Sequence, residues 1–438
     1  MRTIIAPASA AVKSGVIVVR ASGPNSFELL EKLSGKSTPS PRHAVLRNLF
    51  DAKGDLIDNA LVIAFNAPNS FTGENVVEFH LHGGMAILKN FLETALETGL
   101  CYPANPGEFS RQAFENSRMD LTEAEAIADL IDAETNAQLK QAQKQMRGEL
   151  GALAREWREE IISALSESEA YIDFPDEDLP DGLSARASST VKNLIKSLKQ
   201  HIEDSKSAQR IRDGFSIIIL GEPNAGKSSL LNALARRQAA IVSSIAGTTR
   251  DVVEISLNIG GNLVFVADTA GLRETSDEIE EQGVKIALER AEHSDLRIGL
   301  APDAASAKEI ASHLAAGDIL VWSKSDLQSP DYLKIDGIDE IAISTKNNSG
   351  IKELEDLILM KINTGLAPVS APLTRARHVF AVSEAIKALE AALDAPSEAL
   401  ELACEDLRIA ARALGEITGE VGVDDILDKI FSSFCIGK

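Results

Sequence analysis

The segment Gly221-Glu222-Pro223-Asn224-Ala225-Gly226-Lys227-Ser228 constrains the folding of this chain more than any other. It follows the short apolar run Phe215-Ser216-Ile217-Ile218-Ile219-Leu220 and precedes the helical pattern Ser229-Leu230-Leu231-Asn232-Ala233-Leu234. A short apolar run bounded by glycine reads as a strand buried on both faces, which requires a sheet covered by helices on either side. Between strand and helix, the spacing G-x-x-x-x-G-K-[ST] lets backbone N–H groups close around phosphate oxygens, and the helix N-terminus adds positive potential. In such a loop Lys227 neutralises β- and γ-oxygens and the Ser228 hydroxyl ligates magnesium.

Standing alone, the segment also fits a Gly-rich strand-to-helix turn with a chance lysine. Further segments in the same order remove that reading. Ala246-Gly247-Thr248-Thr249-Arg250-Asp251 supplies a threonine for magnesium and precedes a hairpin pattern, Val252 to Asn258 and Leu263 to Ala267, around Gly260-Gly261. Asp268-Thr269-Ala270-Gly271 then offers a carboxylate toward magnesium and a glycine N–H toward a γ-phosphate. Ser323-Lys324-Ser325-Asp326 follows the apolar run Ile319-Leu320-Val321-Trp322, and Ser344-Thr345-Lys346 follows Ile341-Ala342-Ile343.

The order is that of a guanine-nucleotide site. The Asp326 carboxylate accepts from the guanine N1–H and exocyclic amine, groups that adenine does not offer in that arrangement. The expected nucleotide contacts are Asn224, Ala225, Gly226, Lys227, Ser228, Ser229, Ser243, Ser244, Ile245, Ala246, Gly247, Thr248, Thr249, Asp268, Thr269, Ala270, Gly271, Lys324, Asp326 and Ser344. The usual base-reading pattern is Asn-Lys-x-Asp, and Ser323 stands in place of the asparagine. Weaker bracing of the loop and looser nucleotide affinity are expected, with guanine preference kept.

Hydrolysis needs a positioned water. Leu272 occupies the place where Ras-type proteins carry a water-orienting glutamine, so a carboxylate or amide must come from elsewhere, and Asp277-Glu278-Ile279-Glu280-Glu281 is dense in carboxylates. Any one of these acids also fits a solvated loop. No arginine finger is evident for the transition-state charge, and Asn224 with the carbonyls of Ser243-Ser244-Ile245 to Thr248 could hold a monovalent cation instead.

The chain of 438 residues is too long for one core and implies two or three domains. Residues 1–118 alternate β-branched runs with short helical patterns and read as a small α/β domain; 119–212 read as helical, 213–366 as an α/β domain, and 367–438 as helical again. The fold class expected is therefore multidomain α/β plus all-α, with the phosphate-loop domain inserted into a helical domain. A net charge of −22 disfavours non-specific binding of DNA or RNA. Cys101, Cys404 and Cys435 have no metal-ligand spacing and suit a reducing compartment. With no apolar run long enough to span a membrane and no leader pattern at its start, the chain is expected to be soluble and cytoplasmic.

Outside the nucleotide motifs the chain closely resembles the tRNA-modification GTPase MnmE (TrmE) family over nearly its whole length. The resemblance is carried by Phe71-Thr72-Gly73-Glu74-Asn75-Val76-Val77-Glu78 with His82-Gly83-Gly84, by Pro106-Gly107-Glu108-Phe109, and by Asp120-Leu121-Thr122-Glu123-Ala124-Glu125-Ala126. Tyr171-Ile172-Asp173-Phe174-Pro175-Asp176-Glu177 and the tail from Leu414 to Cys435-Ile436-Gly437-Lys438 extend it.

The resemblance implies an N-terminal domain that binds a tetrahydrofolate derivative (5-formyl- or methylene-tetrahydrofolate) and forms a homodimer, a helical domain, and an inserted GTPase domain. It also implies a heterotetramer with the flavoprotein MnmG (GidA), together adding a carboxymethylaminomethyl-type group to the wobble uridine of certain tRNAs. By matching position, potassium (K+) would be held by Asn224, Ser243, Ile245 and Thr248, magnesium (Mg2+) by Ser228 and Thr249, and the attacking water by Glu280. Folate contacts would be Arg20, Glu78, Arg118 and Lys438.

Three features have plainer readings. His80 and His82 alternate on one strand face, but no third metal ligand is in register, so packing or hydrogen bonding is expected. Cys435 sits where a prenylated cysteine would, yet the chain ends in lysine, which excludes that anchor; a thiol near the folate and an inert tail residue remain. Two competing functions share the nucleotide motifs: a ribosome-assembly or RNA-binding regulatory GTPase, and a nucleotide-gated scaffold with little hydrolysis, suggested by Leu272 and Ser323.

Overall fold

The computed structural model describes residues 2–173, 183–237, 240–241, 253–268, 294–364, 373–396, 399–422, 424–432 and 434–437. The chain divides into two compact units, one of Met1–Ile131, Lys144–Ser197 and Phe380–Lys438, the other of Asp132–Gln143 and Leu198–Val379. Strands are β1 (Ile4–Pro7), β2 (Val16–Ser22), β3 (Val45–Phe50), β4 (Leu56–Phe65), β5 (Val76–His82), β6 (Tyr102–Pro103), β7 (Phe215–Leu220), β8 (Ala240–Ile241), β9 (Val253–Ile259), β10 (Asn262–Asp268), β11 (Leu296–Ala301), β12 (Ile319–Trp322) and β13 (Asp339–Ala342). Helices are α1 (Ser26–Ser34), α2 (Met85–Glu97), α3 (Glu108–Glu115), α4 (Leu121–Asp132), α5 (Asn136–Met146), α6 (Glu149–Asp173), α7 (Ala185–Asp213), α8 (Lys227–Arg237), α9 (Ala304–Ala311), α10 (Ile351–Thr364), α11 (Ala376–Asp394), α12 (Leu400–Thr418) and α13 (Asp424–Ser432).

In the first unit a sheet of order β3-β4-β5-β2-β1-β6 turns one face to α1 and α2. Period-two alternation sets this: Ile17, Val19, Val62, Phe79 and Leu81 enter the core with Leu29, Leu30 and Phe91. The opposite face carries Arg20, Glu78, His80 and His82, and at its apolar margin Val16 and Leu46 are 54% and 63% exposed. α6 packs along α12, burying Trp157, Ile161, Leu407 and Leu414.

The end of the chain returns to its beginning within this unit. α13 lies on α3, where Phe431 meets Phe114 and Phe434 at ring separations of 6.4 and 5.4 Å and shares a buried cluster with Leu121, Ala124 and Leu427. The Arg111 guanidinium ties the two helices through Asp428. The Cys435 carbonyl then accepts from the Gly107 N–H at 3.4 Å.

In the second unit the sheet order is β13-β12-β11-β7-β10-β9-β8, parallel from β13 to β10 and antiparallel from β10 to β9. β7 is central, paired in parallel with β10 on one side and β11 on the other. Strand order reverses at β7, and at such a reversal open α/β sheets bind ligands in the crevice at the carboxyl ends of the strands. Ile217, Ile219, Val264, Val266 and Ile298 pack with Leu230, Leu234, Leu354 and Ile358 of α8 and α10.

Phe431, 2% exposed, is the ring on which the returning tail rests. Phe431→Ala is expected to destabilise the first unit by about 3–5 kcal/mol, read as a lowered midpoint in urea unfolding followed by circular dichroism.

Candidate functional site

The phosphate loop occupies the crevice at the end of β7. Gly226 has a φ of 106°, a conformation L side chains rarely adopt, and Asn224 has a φ of 62°. Together they turn the chain sharply enough for α8 to start at Lys227. The Lys227 side chain is 5% exposed and folds back across the arch, its ammonium donating to the carbonyls of Gly221 at 2.5 Å and Glu222 at 2.9 Å. A cation is thereby held at the positive end of a helix, a combination that favours an anion. Ser228 and Ser229, in the first turn of α8, are exposed.

The loops expected to read the base lie beside it. Ser344 at the end of β13 is fully buried and its hydroxyl donates to Asp326 Oδ1 at 2.7 Å, which orients the carboxylate for a nucleobase edge. The Ser325 N–H donates to the Ile343 carbonyl at 3.0 Å, joining the two loops. The Lys324 ammonium reaches the Asn224 carbonyl at 2.9 Å. Ser323 differs from the expectation of weaker bracing: its hydroxyl donates to the Ala225 carbonyl at 2.8 Å, so the brace to the phosphate loop is present. The shorter side chain suffices because Ser323 is itself tucked in, at 7% exposure, with its own N–H donating to the Ala301 carbonyl.

Asp268 ends β10, beside β7 in parallel register, although its side chain lies outside the described residues. Ser243, Ser244, Ile245, Ala246, Gly247, Thr248, Thr249, Thr269, Ala270, Gly271 and Glu280 also lie outside them. Of the residues matched to metals, Ser228 fits magnesium in presenting a hydroxyl on the first turn of α8, and Asn224 fits potassium in standing exposed on the loop.

A second cluster lies on the open sheet face of the first unit. Arg20 and Glu78 are register partners on β2 and β5, and Glu78 Oε1 accepts from Arg20 Nη2 at 2.8 Å and Nε at 3.1 Å. The guanidinium lies over Phe71 and Phe109, 5.1 and 5.7 Å from the ring centroids. Buried hydroxyls of Ser22 and Thr72 meet at 2.7 Å, and Ser22 donates to Gln112 Oε1 at 2.8 Å. Arg118 is exposed and packs by the Gly73 position of the loop that bears Phe71. Gly437, at a φ of 97°, lies so close to the chain that an added Cβ would meet the Pro7 carbonyl at 1.9 Å; Pro7 follows Ala6, the register partner of Arg20. Lys438, expected among the folate contacts, lies outside the described residues. Phe109 is buried beneath the guanidinium, and Arg20 and Glu78, each side chain 19% exposed, offer a donor fork and a carboxylate to the edge of a polar heterocycle. Phe71 and Phe109 were not among the expected contacts, and their signal in the sequence is an aromatic residue at the edge of each family segment.

His82 and Asp58 form a separate pair. Asp58, buried, accepts from the His82 backbone N–H at 2.8 Å and lies 2.7 Å from its Nδ1, the hydrogen-bonding role expected of this histidine. Among the described residues no group of His, Cys, Asp and Glu could hold a metal ion. Burial pushes the Cys101 thiol up to about 11 and that of Cys404 up as well, whereas Cys435 is exposed. No helix among the described residues is long and apolar enough to cross a membrane.

The sequence assigns Asp326 to two guanine donors, and Asp326→Asn would reverse one of those hydrogen bonds. Affinity is expected to move from guanosine to xanthosine diphosphate by at least about a hundredfold in ratio, measured by calorimetry with both nucleotides.

Comparisons with known proteins agree with this geometry. A family model for the MnmE helical domain matches residues 121–435, and one described as GTP-binding protein TrmE N-terminus matches residues 3–118. The chain is 49% identical over 441 residues to a tRNA modification GTPase MnmE of Maricaulis maris, covering 100% of this chain and 99% of that protein. Proteins of the same description from Paramagnetospirillum magneticum and Parvibaculum lavamentivorans are 47% and 46% identical, covering 100% of this chain and 99% and 100% of their own lengths. With a helical-domain match over more than half its length and full-length relatives at this identity, the chain belongs to the MnmE family of tRNA modification GTPases.

Proposed function

We propose that this protein is a potassium-activated GTPase that, with the flavoprotein MnmG, adds a carboxymethylaminomethyl-type group to carbon 5 of the wobble uridine of certain tRNAs. The one-carbon unit comes from a tetrahydrofolate derivative. The observation that carries the reading is that one chain holds two differently built clusters, a phosphate arch closed by Lys227 and an Arg20–Glu78 pair laid over Phe71 and Phe109. A GTPase that serves ribosome assembly has no use for the second.

In the nucleotide site Lys227 and the amides of the loop neutralise the β- and γ-oxygens, and Ser344 holds Asp326 ready for the guanine edge. Bound magnesium, held by Ser228 and Thr249, supplies charge neutralisation of the phosphates. Asn224, Ser243, Ile245 and Thr248 would hold potassium, which would supply the positive charge of an arginine finger, and Glu280 would orient the attacking water. In the first unit the Arg20 guanidinium, flattened over Phe71 and Phe109, and Glu78 receive the heterocycle of the folate, with Arg118 and Lys438 at its polar end. The exposed Val16 and Leu46 on the same sheet face suit a homodimer through this domain. A tRNA substrate supports a cytoplasmic placement.

Nucleosides from tRNA of a deletion strain decide the reading: wobble uridines that keep their substituents would refute it. Glu280→Ala is expected to lower turnover by roughly a hundredfold or more with GDP affinity unchanged, and wild-type turnover is expected to be faster in potassium than in sodium at equal ionic strength. Equal rates in the two salts would remove potassium from the mechanism. Arg20→Ala is expected to weaken tetrahydrofolate binding by at least about tenfold while GTP hydrolysis persists, and Gly437→Ala, by lifting the tail from Pro7, should act in the same direction. Calorimetry with 5-formyl-tetrahydrofolate measures both.

A further inference from the structure

A chain with a net charge of −22 repels a polyanion at long range, so it can hold RNA only where positive charge is concentrated locally. On the helices α6, α11 and α12 the cations are answered by neighbouring acids. Arg155 and Arg158 of α6 pair with Asp120 at 3.1 Å and Glu420 at 3.5 Å, Lys387 of α11 with Glu384 at 2.6 Å, and Arg408 of α12 with Glu405 at 2.9 Å. The start of α7 differs. From Leu183 to Ile202 the chain holds Arg186, Lys192, Lys196 and Lys199 and no aspartate or glutamate. Ala187, Val191 and Leu194 are buried and dock the helix, while Lys192 and Lys196, one turn apart, share its exposed face with Ser189 and Asn193. Arg186 has Glu167 at 4.0 Å, but Lys192 and Lys196 have no ion-pair partner among the described residues. Like charges at i, i+4 weaken a helix, and an anion laid across the pair relieves that repulsion.

We propose that the exposed face of α7 around Lys192 and Lys196 is a docking surface for the phosphate backbone of tRNA. The inference rests on the reading of this protein as a tRNA-modifying enzyme, and it names the part of the surface that meets the substrate. Two ammonium groups about 6 Å apart along the helix axis take phosphates as point charges, with the Ser189 hydroxyl and the Asn193 amide as uncharged donors beside them. Of the anions such a face attracts, a phosphate backbone gains most, because each neutralised phosphate releases condensed counterions. Contacts of this kind position the RNA and leave the choice of tRNA to other parts of the complex.

Fluorescence anisotropy of a labelled, unmodified tRNA transcript with uridine at the wobble position, titrated with the full-length protein at several salt concentrations, tests this. Lys192→Gln combined with Lys196→Gln is expected to weaken binding by at least about tenfold at roughly 0.1 M salt, and to make the slope of log K against log salt shallower by about two. A transcript with an unrelated anticodon should lose the same factor, and GTP hydrolysis should stay at the wild-type rate, which also reports that the variant is folded. Lys89→Gln combined with Lys387→Gln removes the same charge from lysines that already face Glu93 and Glu384, and is expected to bind tRNA as the wild type does. Unchanged affinity and slope in the α7 variant would overturn the proposal, and so would an equal loss in the control, since net charge alone would then explain the effect. Retained tRNA affinity with lost binding of the flavoprotein would assign the face to a protein partner and overturn it too. A wild-type protein that binds no tRNA would remove the docking surface, whereas the nucleosides of the deletion strain decide the tRNA-modification reading separately.

Discussion

A cradle made of main-chain amides works only if its peptide planes are held still, and a loop containing left-handed residues has no regular hydrogen-bond ladder to hold them. In this protein the planes are fixed from both sides. Lys227 draws the carbonyls of Gly221 and Glu222 inward, and Ser323 and Lys324 hold those of Ala225 and Asn224 from the neighbouring loop. The reversal of strand order at β7 makes this convergence available, because it places the ends of β7, β11 and β12 beside one another at one rim of the sheet.

The other site obeys a different constraint. Arg20 and Glu78 sit on the half-open face of an antiparallel sheet, where the charged pair stays partly accessible while the Arg20 guanidinium lies over two aromatic rings. The far end of the chain returns to β1. Phe431 and Phe434 bury themselves against α3 and α4, and beyond that apolar anchor Gly437 lies against Pro7.

Much of this was legible in the residues. The apolar run Phe215–Leu220 forms β7, the glycine pair Gly260-Gly261 turns the β9–β10 hairpin, and Ser323 and Ser344 each follow a strand as their spacing required. Such local features are readable because backbone dihedrals, turn chemistry and periodicity act over a few residues. Less legible was the effect of serine at position 323. Judged by side-chain length it weakens the brace, but length matters less than where the Cα sits, and that depends on how closely β12 packs beside the phosphate loop.

The sequence by itself determined a phosphate loop between a buried strand and a helix, guanine motifs in order, a helical frame around an inserted α/β segment, and membership of a family. Each follows from short-range pattern. Only the tertiary structure decided that Phe71 and Phe109 lie beneath one arginine, that Asp58 holds His82, and that Gly437 meets Pro7 across almost the whole chain. The physical reason is that these contacts join positions distant in sequence, and nothing in either segment specifies its partner until hydrophobic burial has brought sheet, helices and tail to one place.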